Sequence, residues 1–469
     1  MSNEVKSVGN ELADKLLSKK KNGILKLSDA EINVVDTFCE GYKKYLDDGK
    51  TEREATNAAV ALAEAKGYVP FDPKGNYKAG DKVYYVNRGK SIILCVFGTE
   101  PLEKGVKISA AHIDSPRLDL KQHPVYETSE LCLLKTHYYG GIRKYQWVTI
   151  PLALHGVIYT TDGTCVNVNI GEDENDPVFC ITDLLPHLAQ EQSKRTLADG
   201  IRGEELNVLI GSRPFKDDEV SEKVKLNVLA ILNEKYGIVE DDFISAELEV
   251  VPTYKAKDVG LDRGLIGAYG QDDRVCAYTA LEAILDVEAP KTTCITILTD
   301  KEEIGSMGNT GLQSSYLKYF VFHIAEMFGT NAPTVFSHSE CLSADVCAAV
   351  DPTFPDVCEP RNSAYINYGV GMCKYTGSRG KSGSSDANAE FVSRVRKIFD
   401  SNNVIWQTSE LGRVDLGGGG TVAAYIANLD VDVVDVGVPV LCMHAPYEIT
   451  SKLDVYMAYR AFLTFFNAD

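Results

Sequence analysis

The feature that most constrains the fold is a regular alternation of helical and strand patterns after residue 258. Amphipathic helical patterns and short apolar runs follow one another to the end of the chain. The helical patterns cover 274–285, 314–327, 387–399 and 451–466, and the strand patterns cover 294–298, 340–347 and 431–436. This alternation predicts an α/β sheet covered by helices on both faces. Ligand sites in such sheets lie at the carboxyl ends of the strands.

The first hundred residues read as helices followed by strands. Ser28 and Thr51 each stand three residues before a glutamate, which is the pattern of a capping box at the start of a helix. Apolar runs at 83–86 and 92–97 flank Arg88-Gly89 and predict a hairpin. A buried strand is then expected over 106–113.

Residues 118–257 have a different texture, with short strand patterns and isolated helices. Asp162-Gly163 lies between two apolar runs and indicates a hairpin. Helical patterns fall near 182–194 and 222–236. We therefore expect an inserted strand-rich domain at 118–257, and a discontinuous main domain formed by 1–117 and 258–469.

Composition excludes several classes of protein. The chain has 469 residues, 44% of them hydrophobic, so whole-chain disorder is excluded. Its formal charge of -19 argues against nucleic acid or an anionic membrane as a partner. It contains no apolar run of about 18 residues that could span a membrane, and residues 1–21 lack an apolar signal core. The 12 scattered cysteines include no C-x-x-C pair, so we expect reduced thiols and a cytoplasmic location.

The first polar cluster lies at the end of the 106–113 strand. His112 and Asp114 are two residues apart, and alternate side chains of a strand point to the same face. A carboxylate at this spacing can hold the imidazole of a metal-binding histidine. The alternative is an ordinary histidine at a strand end whose hydrogen bonds are satisfied locally.

Two acidic clusters follow. Asp272 precedes a helix, where it could bridge two metal ions or serve only as a helix cap. Glu302 and Glu303 come directly after a strand that reads as fully buried. One glutamate could bind metal while its neighbour acts as a general base on a metal-bound water. A solvated acidic turn is the alternative for this pair.

Three more features complete the candidate set. Asp345 interrupts an apolar strand, where it could bind metal or form a buried salt bridge. His444 follows the 431–436 strand and could be a ligand or a loop histidine. Gly419 and Thr421 belong to a glycine run before a short helix, and bare backbone there would let a ligand approach closely. A flexible hinge is the alternative for that run. Together the clusters supply the two histidines and three carboxylates of a two-metal site, with one glutamate to spare.

These clusters resemble the aspartyl aminopeptidase / aminopeptidase I family of two-metal metallopeptidases, and most closely its bacterial members. Their order and spacing match over nearly the whole chain. The most specific motifs are Ala111-His112-Ile113-Asp114-Ser115-Pro116-Arg117, Gly270-Gln271-Asp272-Asp273-Arg274, Thr299-Asp300-Lys301-Glu302-Glu303-Ile304-Gly305-Ser306 and Met443-His444. The resemblance implies a helix-covered mixed sheet of the zinc-exopeptidase type, with the insert acting as a dimerisation domain.

The resemblance also implies a role for each residue of the site. His112, Asp272 and Asp345 would hold one metal, and Asp272, Glu303 and His444 would hold the second. Glu302 would be the general base that takes a proton from a bridging water. Asp114 would orient His112. Two divalent ions are expected per subunit, zinc first, with manganese or cobalt as alternatives because such ligand sets select weakly among them.

Assembly and substrate follow from the same resemblance. Family members form tetrahedral dodecamers in which an insert histidine completes a neighbour's site, and His187 matches that residue. Lys374 matches the lysine that binds acidic first residues. Ala348 stands where the acidic-specific members have a histidine, so neutral first residues are an alternative substrate class.

The leading hypothesis is a metalloaminopeptidase that removes amino-terminal residues from short peptides. One alternative keeps the metals but cleaves a different bond, as a deacylase or dipeptidase. The other is a metal-free shell protein with only the fold. Because all five candidate ligands and Glu302 are present, the sequence favours an enzyme over the shell.

Overall fold

The computed structural model describes residues 7–469, and its largest element is a nine-stranded mixed sheet in the order β1-β2-β3-β14-β4-β15-β21-β17-β19. The strands before the insert are β1 (Val69–Pro70), β2 (Lys82–Asn87), β3 (Ser91–Val96) and β4 (Lys107–His112). Those after it are β12 (Lys257–Val259), β13 (Leu265–Ala268), β14 (Cys294–Thr299), β15 (Glu340–Ser343), β16 (Cys347–Ala348), β17 (Val370–Cys373), β18 (Gly377–Ser378), β19 (Trp406–Thr408), β20 (Gly418–Gly419), β21 (Asp432–Gly437), β22 (Pro439–Leu441) and β23 (Glu448–Ser451).

Helices cover both faces of this sheet, because its central strands are apolar on both sides. In β3, Ile92 and Leu94 belong to one buried cluster, whereas Ile93 and Cys95 belong to a second one. The helices are α1 (Val8–Leu16), α2 (Asp29–Asp48), α3 (Glu52–Ala65), α4 (Lys223–Tyr236), α5 (Gln271–Leu285), α6 (Tyr316–Met327), α7 (Ala332–Ser337), α8 (Ala389–Ser401), α9 (Ala423–Ala427) and α10 (Lys452–Asn467). Side chains of α2, α3, α5, α8 and α10 enter the first cluster, and those of α6, α7 and α9 enter the second. Among the described residues, no helix is both long and apolar enough to cross a bilayer.

Four neighbouring strands of the sheet run parallel and end at one edge. Strand β4 lies between β14 and β15, and β15 pairs with β21. Thr299 of β14 lies opposite His112 of β4. The segments that follow these strands therefore meet at the same edge of the sheet.

The segment between β4 and β12 forms its own antiparallel sheet, in the order β8-β7-β11-β5-β6-β10-β9. Its strands are β5 (Arg117–Thr128), β6 (Leu131–Tyr139), β7 (Leu152–Tyr159), β8 (Cys165–Ile170), β9 (Cys180–Ile181), β10 (Asn207–Gly211) and β11 (Ala246–Pro252). This sheet has a separate buried cluster that includes the fully buried Trp147. It begins at Arg117, three residues after Asp114, so this sheet follows directly on the end of β4.

A smaller five-stranded sheet, in the order β12-β13-β23-β22-β16, lies beside the same edge. Helix α5 begins shortly after β13 and carries Asp272 in its first turn. The peptide bond between Asp272 and Asp273 is cis. His444 lies in the connection between β22 and β23, so this sheet positions two more of the candidate ligands.

Most of the local predictions from sequence are confirmed. Both capping boxes are present, at Ser28 before α2 and at Thr51 before α3. The hairpin around Arg88-Gly89 forms, as does the one around Asp162-Gly163. The predicted α/β class with helices on both faces is the class observed.

Two local predictions were wrong. The helix expected over 182–194 is absent, and that range holds turns with a short 3-10 segment at Gln192–Lys194. Pro186 explains the difference, because proline inside a helix removes a backbone hydrogen bond. The strand expected over 340–347 ends at Ser343, and Asp345 follows it in a connection to the smaller sheet. A carboxylate thus lies at the edge of the sheet rather than within a strand.

The buried His155 joins the seven-stranded sheet to helix α3 and makes their contact sensitive to pH. His155 of β7 pairs through Nδ1 with Glu54 of α3 at 2.8 Å and through Nε2 with Glu172 at 3.1 Å. Burial disfavours the charged imidazole, but these carboxylates outweigh it and raise the pKa of His155 above 6.5. The stabilisation is therefore complete below about pH 6.5 and is lost as the pH rises through the folded-state pKa.

We predict that His155→Gln lowers the free energy of unfolding by about 2 kcal/mol at pH 6, because charged hydrogen bonds are lost. At pH 9 the same variant should differ less from wild type. Thermal denaturation of both proteins at the two pH values measures this difference. A deficit that is equal at both pH values would contradict a charged His155.

Candidate metal and active site

Six polar side chains predicted from the sequence meet at the carboxyl edge of the parallel strands. His112 ends β4, Glu302 and Glu303 follow β14, and Asp345 follows β15. Asp272 in the first turn of α5 and His444 between β22 and β23 complete the group. The parallel arrangement and the smaller sheet thus bring together residues that are far apart in the chain.

Asp272 is the centre of this group. Its Oδ1 lies 3.2 Å from His112 Nε2, and its Oδ2 lies 3.2 Å from His444 Nε2. Each carboxylate oxygen therefore faces a different histidine, which is the arrangement that a bridging ligand requires. Burial opposes ionisation of Asp272, but the two hydrogen-bonded histidines outweigh burial and lower its pKa.

Three more acidic groups surround Asp272, two of them near His112 and one near His444. Asp345 Oδ1 is 4.0 Å from His112 Nε2, and Glu303 Oε2 is 3.6 Å from His444 Nε2. Glu302 Oε2 is 3.9 Å from His112 Nε2. Burial raises the pKa of Glu302, Glu303 and Asp345, and neighbouring carboxylates raise each of them further.

The donor set fits divalent metal ions. His112, Asp272 and Glu303 offer ligand atoms within 4.8 Å of one another, and so do His112, Asp273 and Asp345. Glu303 Oε1 is buried and accepts no hydrogen bond from residues 7–469. Buried like charges without a cation are costly, so positive charge between these groups would remove the repulsion. Imidazole and carboxylate ligands suit zinc, with manganese or cobalt as alternatives.

Asp114 lies behind His112 and organises the acidic turn. Its Oδ1 is 3.3 Å from His112 Nδ1 and accepts the amide of Glu302 at 3.1 Å. Its Oδ2 accepts the amide of Glu303, also at 3.1 Å. The Asp114 carboxylate therefore fixes both glutamates, while His112 Nδ1 lies 3.0 Å from the Asp114 carbonyl oxygen as well as near this carboxylate.

A cavity of about 620 Å³ opens over the cluster. Its floor includes Asp272, Glu302 and His444, and its wall includes Gly419 and Thr421 of the glycine run. The Thr421 hydroxyl donates to Asp435 Oδ1 at 2.8 Å, so this threonine is held in place by β21. The cavity has room for a peptide end beside the acidic floor.

Lys374 and His187 are the other two residues expected to bind substrate, and Cys373 and Tyr375 on either side of Lys374 line the cavity. Among the described residues, neither Lys374 nor His187 lines this cavity. Lys374 is exposed just after β17, and the cavity is lined instead by Arg379 and Lys381. His187 is exposed on the insert. Ala348 does line the cavity.

Sequence reasoning missed two acidic residues of the site. Asp273 is fully buried beside Asp272, and its Oδ2 accepts the amide of His112 at 3.3 Å. Glu448 of β23 accepts the amide of His444 at 2.7 Å and that of Asp272 at 3.0 Å. Burial and the nearby Asp272 carboxylate raise the pKa of Glu448 to about 8. The adjacent pair Asp272-Asp273 could have indicated a second acidic residue in the site. The sequence around Glu448 contains no motif that would have identified it.

The chain is similar to known proteins over almost its full length. Residues 45–466 match the family described as aminopeptidase I zinc metalloprotease (M18). A relative from Clostridium acetobutylicum, named probable M18 family aminopeptidase 1, is 52% identical over 460 residues. That alignment covers 96% of this chain and 99% of the relative.

Solved structures share the fold. A crystal structure of an M18 family aminopeptidase from Thermotoga maritima has a TM-score of 0.91 at 43% identity, covering 96% of this chain and 99% of that one. A dodecamer of yeast aminopeptidase 1 has a TM-score of 0.75 at 21% identity, covering 92% of this chain and 97% of that one. The yeast likeness extends to the fold alone.

Proposed function

Because this chain belongs to the aminopeptidase I zinc metalloprotease family (M18), we propose that it removes single amino-terminal residues from peptides at a two-metal site. The family resemblance, the fold class and the assignment as a metal-dependent hydrolase, all predicted from the motifs, are confirmed. The number of ions, the roles of single residues and the substrate preference belong to the proposal.

The observation that carries the proposal is the position of Asp272 between two histidines. Its two oxygens face His112 and His444 at equal distances of 3.2 Å. We assign one metal to His112, Asp272 and Asp345, and the other to Asp272, Glu303 and His444. Two divalent ions held there would activate a water and polarise the carbonyl of the scissile peptide bond.

Glu302 is the proposed general base. Its side chain lines the cavity beside the ligands, and its Oε2 lies 3.9 Å from His112 Nε2. Glu302 would take a proton from the attacking water and pass it to the amine of the departing peptide. Asp114 would hold His112, Glu302 and Glu303 in fixed relative positions during this transfer, because it contacts all three.

We predict that Glu302→Gln lowers kcat by roughly two to four orders of magnitude while metal content stays at the wild-type level. Release of chromophore from unblocked amino-acid amides and elemental analysis of dialysed protein measure the two quantities. Glu326→Gln, an exposed substitution on α6, is the matched control and should keep the wild-type rate.

Two outcomes would count against this assignment. Normal turnover by Glu302→Gln would remove it as the base. Cleavage of acylated but not of unblocked substrates by the wild-type protein would replace the aminopeptidase with a deacylase.

Neutral amino-terminal residues are the proposed substrate class, with acidic residues as the second choice. Lys374, which would bind an acidic side chain in the resemblance, is exposed and does not line the cavity. Ala348 offers no charge where the acidic-specific members have a histidine. Arg379 and Lys381 still place positive charge along the cavity wall, so acidic residues are not repelled there.

We predict that Lys374→Ala leaves the ratio of kcat/KM for Asp and Leu substrates unchanged. Arg379→Ala should lower the value for Asp relative to Leu by about tenfold or more, the contribution of one charged hydrogen bond. Rate measurements on paired Asp and Leu amides give both ratios. If Lys374→Ala instead lost activity only on Asp substrates, Lys374 would be the residue that binds the acidic side chain of the substrate.

Assembly into a homo-oligomer, with a tetrahedral dodecamer as the specific form, is also part of the proposal. The insert at 118–257 would mediate it. The segment around His187 exposes Leu184, Leu185 and Leu188, each at least half accessible, which is a surface that a second copy would cover. The yeast structure with the same fold is a dodecamer. In such an assembly His187 would complete the cavity of a neighbouring subunit.

We predict that His187→Ala and Glu302→Gln complement each other when their subunits are co-assembled. A site with its own Glu302 and a neighbour's His187 is intact, and random mixing makes about a quarter of the sites intact. Activity of the co-expressed mixture, compared with each variant alone, measures this recovery. No gain above the parent variants would contradict a shared site.

A further inference from the structure

The last residues of β6 reach the metal cluster although they belong to the insert. Tyr139 ends this strand, and Gly140 and Gly141 follow it. We call these three residues the β6 exit segment. Tyr139 contacts Asp114 and Gly141 contacts His444, so the contact does not depend on one residue alone.

The Tyr139 hydroxyl donates a hydrogen bond to Asp114 Oδ2 at 2.9 Å. The same carboxylate faces His112 and accepts the amides of Glu302 and Glu303. Burial and the nearby Asp114 raise the pKa of Tyr139, so its hydroxyl keeps the proton that it donates. The Tyr139 hydroxyl therefore orients the Asp114 carboxylate, which in turn contacts His112 and the two glutamates.

The ring of Tyr139 is itself held from behind. The guanidinium carbon of Arg117 lies 3.9 Å from the ring centroid, which is a cation–π contact. Arg117 is buried and pairs with Glu52 at 3.3 Å, with Glu249 at 3.2 Å and with Asp119 at 2.8 Å. Since these partners come from α3 and from the insert, the ring position reflects how the two domains are joined.

Gly141 contacts His444, and Gly140 leaves room for Glu303. The Gly141 carbonyl accepts the Nδ1–H of His444 at 2.7 Å, which leaves Nε2 facing Asp272. Gly140 has a φ of +73°, and a Cβ there would lie 3.1 Å from Glu303 Oε2. A side chain at residue 140 would be strained by the backbone and would press on this ligand.

We propose that the β6 exit segment is a positioning element through which the insert orients residues that would hold both metals, with Tyr139 acting on Asp114 and Gly141 on His444. The proposal rests on the two-metal site proposed above. It gives the insert a role in catalysis within its own subunit, separate from assembly. Partners that orient metal ligands typically change metal affinity or activity by about 10–100-fold.

Tyr139→Phe tests the proposal because it removes one hydroxyl and keeps the ring stacked on Arg117. Tyr138→Phe is the matched control, since Tyr138 is the neighbouring tyrosine, is 41% exposed and points away from Asp114. Three quantities are measured on each intact protein: kcat and KM on an unblocked amide, zinc affinity by competition with a chromophoric chelator, and Tm.

For Tyr139→Phe we expect kcat and zinc affinity each to fall by about tenfold or more. KM and Tm should stay close to the wild-type values, and Tyr138→Phe should match wild type throughout. Wild-type kcat and zinc affinity in Tyr139→Phe would overturn the proposal. So would losses of activity that follow a lowered Tm while zinc affinity is unchanged, because that pattern describes packing alone.

A second variant covers the glycine half of the segment. Gly140→Ala should weaken zinc binding through Glu303, and unchanged zinc affinity in a folded Gly140→Ala protein would also count against the proposal. Failure of the function itself looks different. In that case the wild-type protein would bind no zinc and release no product, whereas failure of this inference leaves the wild-type protein active and the variants equal to it.

Discussion

The rest of the site depends on one carboxylate, Asp272, shared between two histidines. The histidines come from the end of a central strand and from a loop of a different sheet, and each faces one oxygen of this carboxylate. Around Asp272 lie further buried acidic groups whose pKa values are raised by burial and by one another. A cluster of this kind is stable only when positive charge offsets the repulsion, which the histidines do in part and metal ions would do fully.

The fold supplies this arrangement by ending several parallel strands at one edge. The edge collects His112, the glutamate pair and Asp345 from strands that are neighbours in space but distant in sequence. A second layer of contacts then fixes their orientation, through Asp114 on one side and Glu448 on the other. Reactive groups must be held within fractions of an ångström, so this second layer matters as much as the ligands themselves.

Sequence alone predicted the fold class, most elements and the residues that meet at the edge, because strand ends and capping boxes are local signals. It could not predict which residues surround them. Glu448 and Tyr139 belong to two other sheets and reach the site because those sheets lie against it, and no local pattern encodes that packing. Lys374 shows the converse, since it matches a family motif while its side chain lies outside the cavity. The helix expected around His187 does not form, because Pro186 disfavours a helix there. The sequence interpretation gave more weight to a weak helical pattern than to this proline.

The most direct test of the central claim is a crystal structure of the zinc-loaded protein with anomalous diffraction measured at the zinc edge. We expect two anomalous peaks per subunit, one beside His112 and Asp345 and one beside His444 and Glu303, with Asp272 between them. A single peak, or two peaks that do not share Asp272, would contradict this claim.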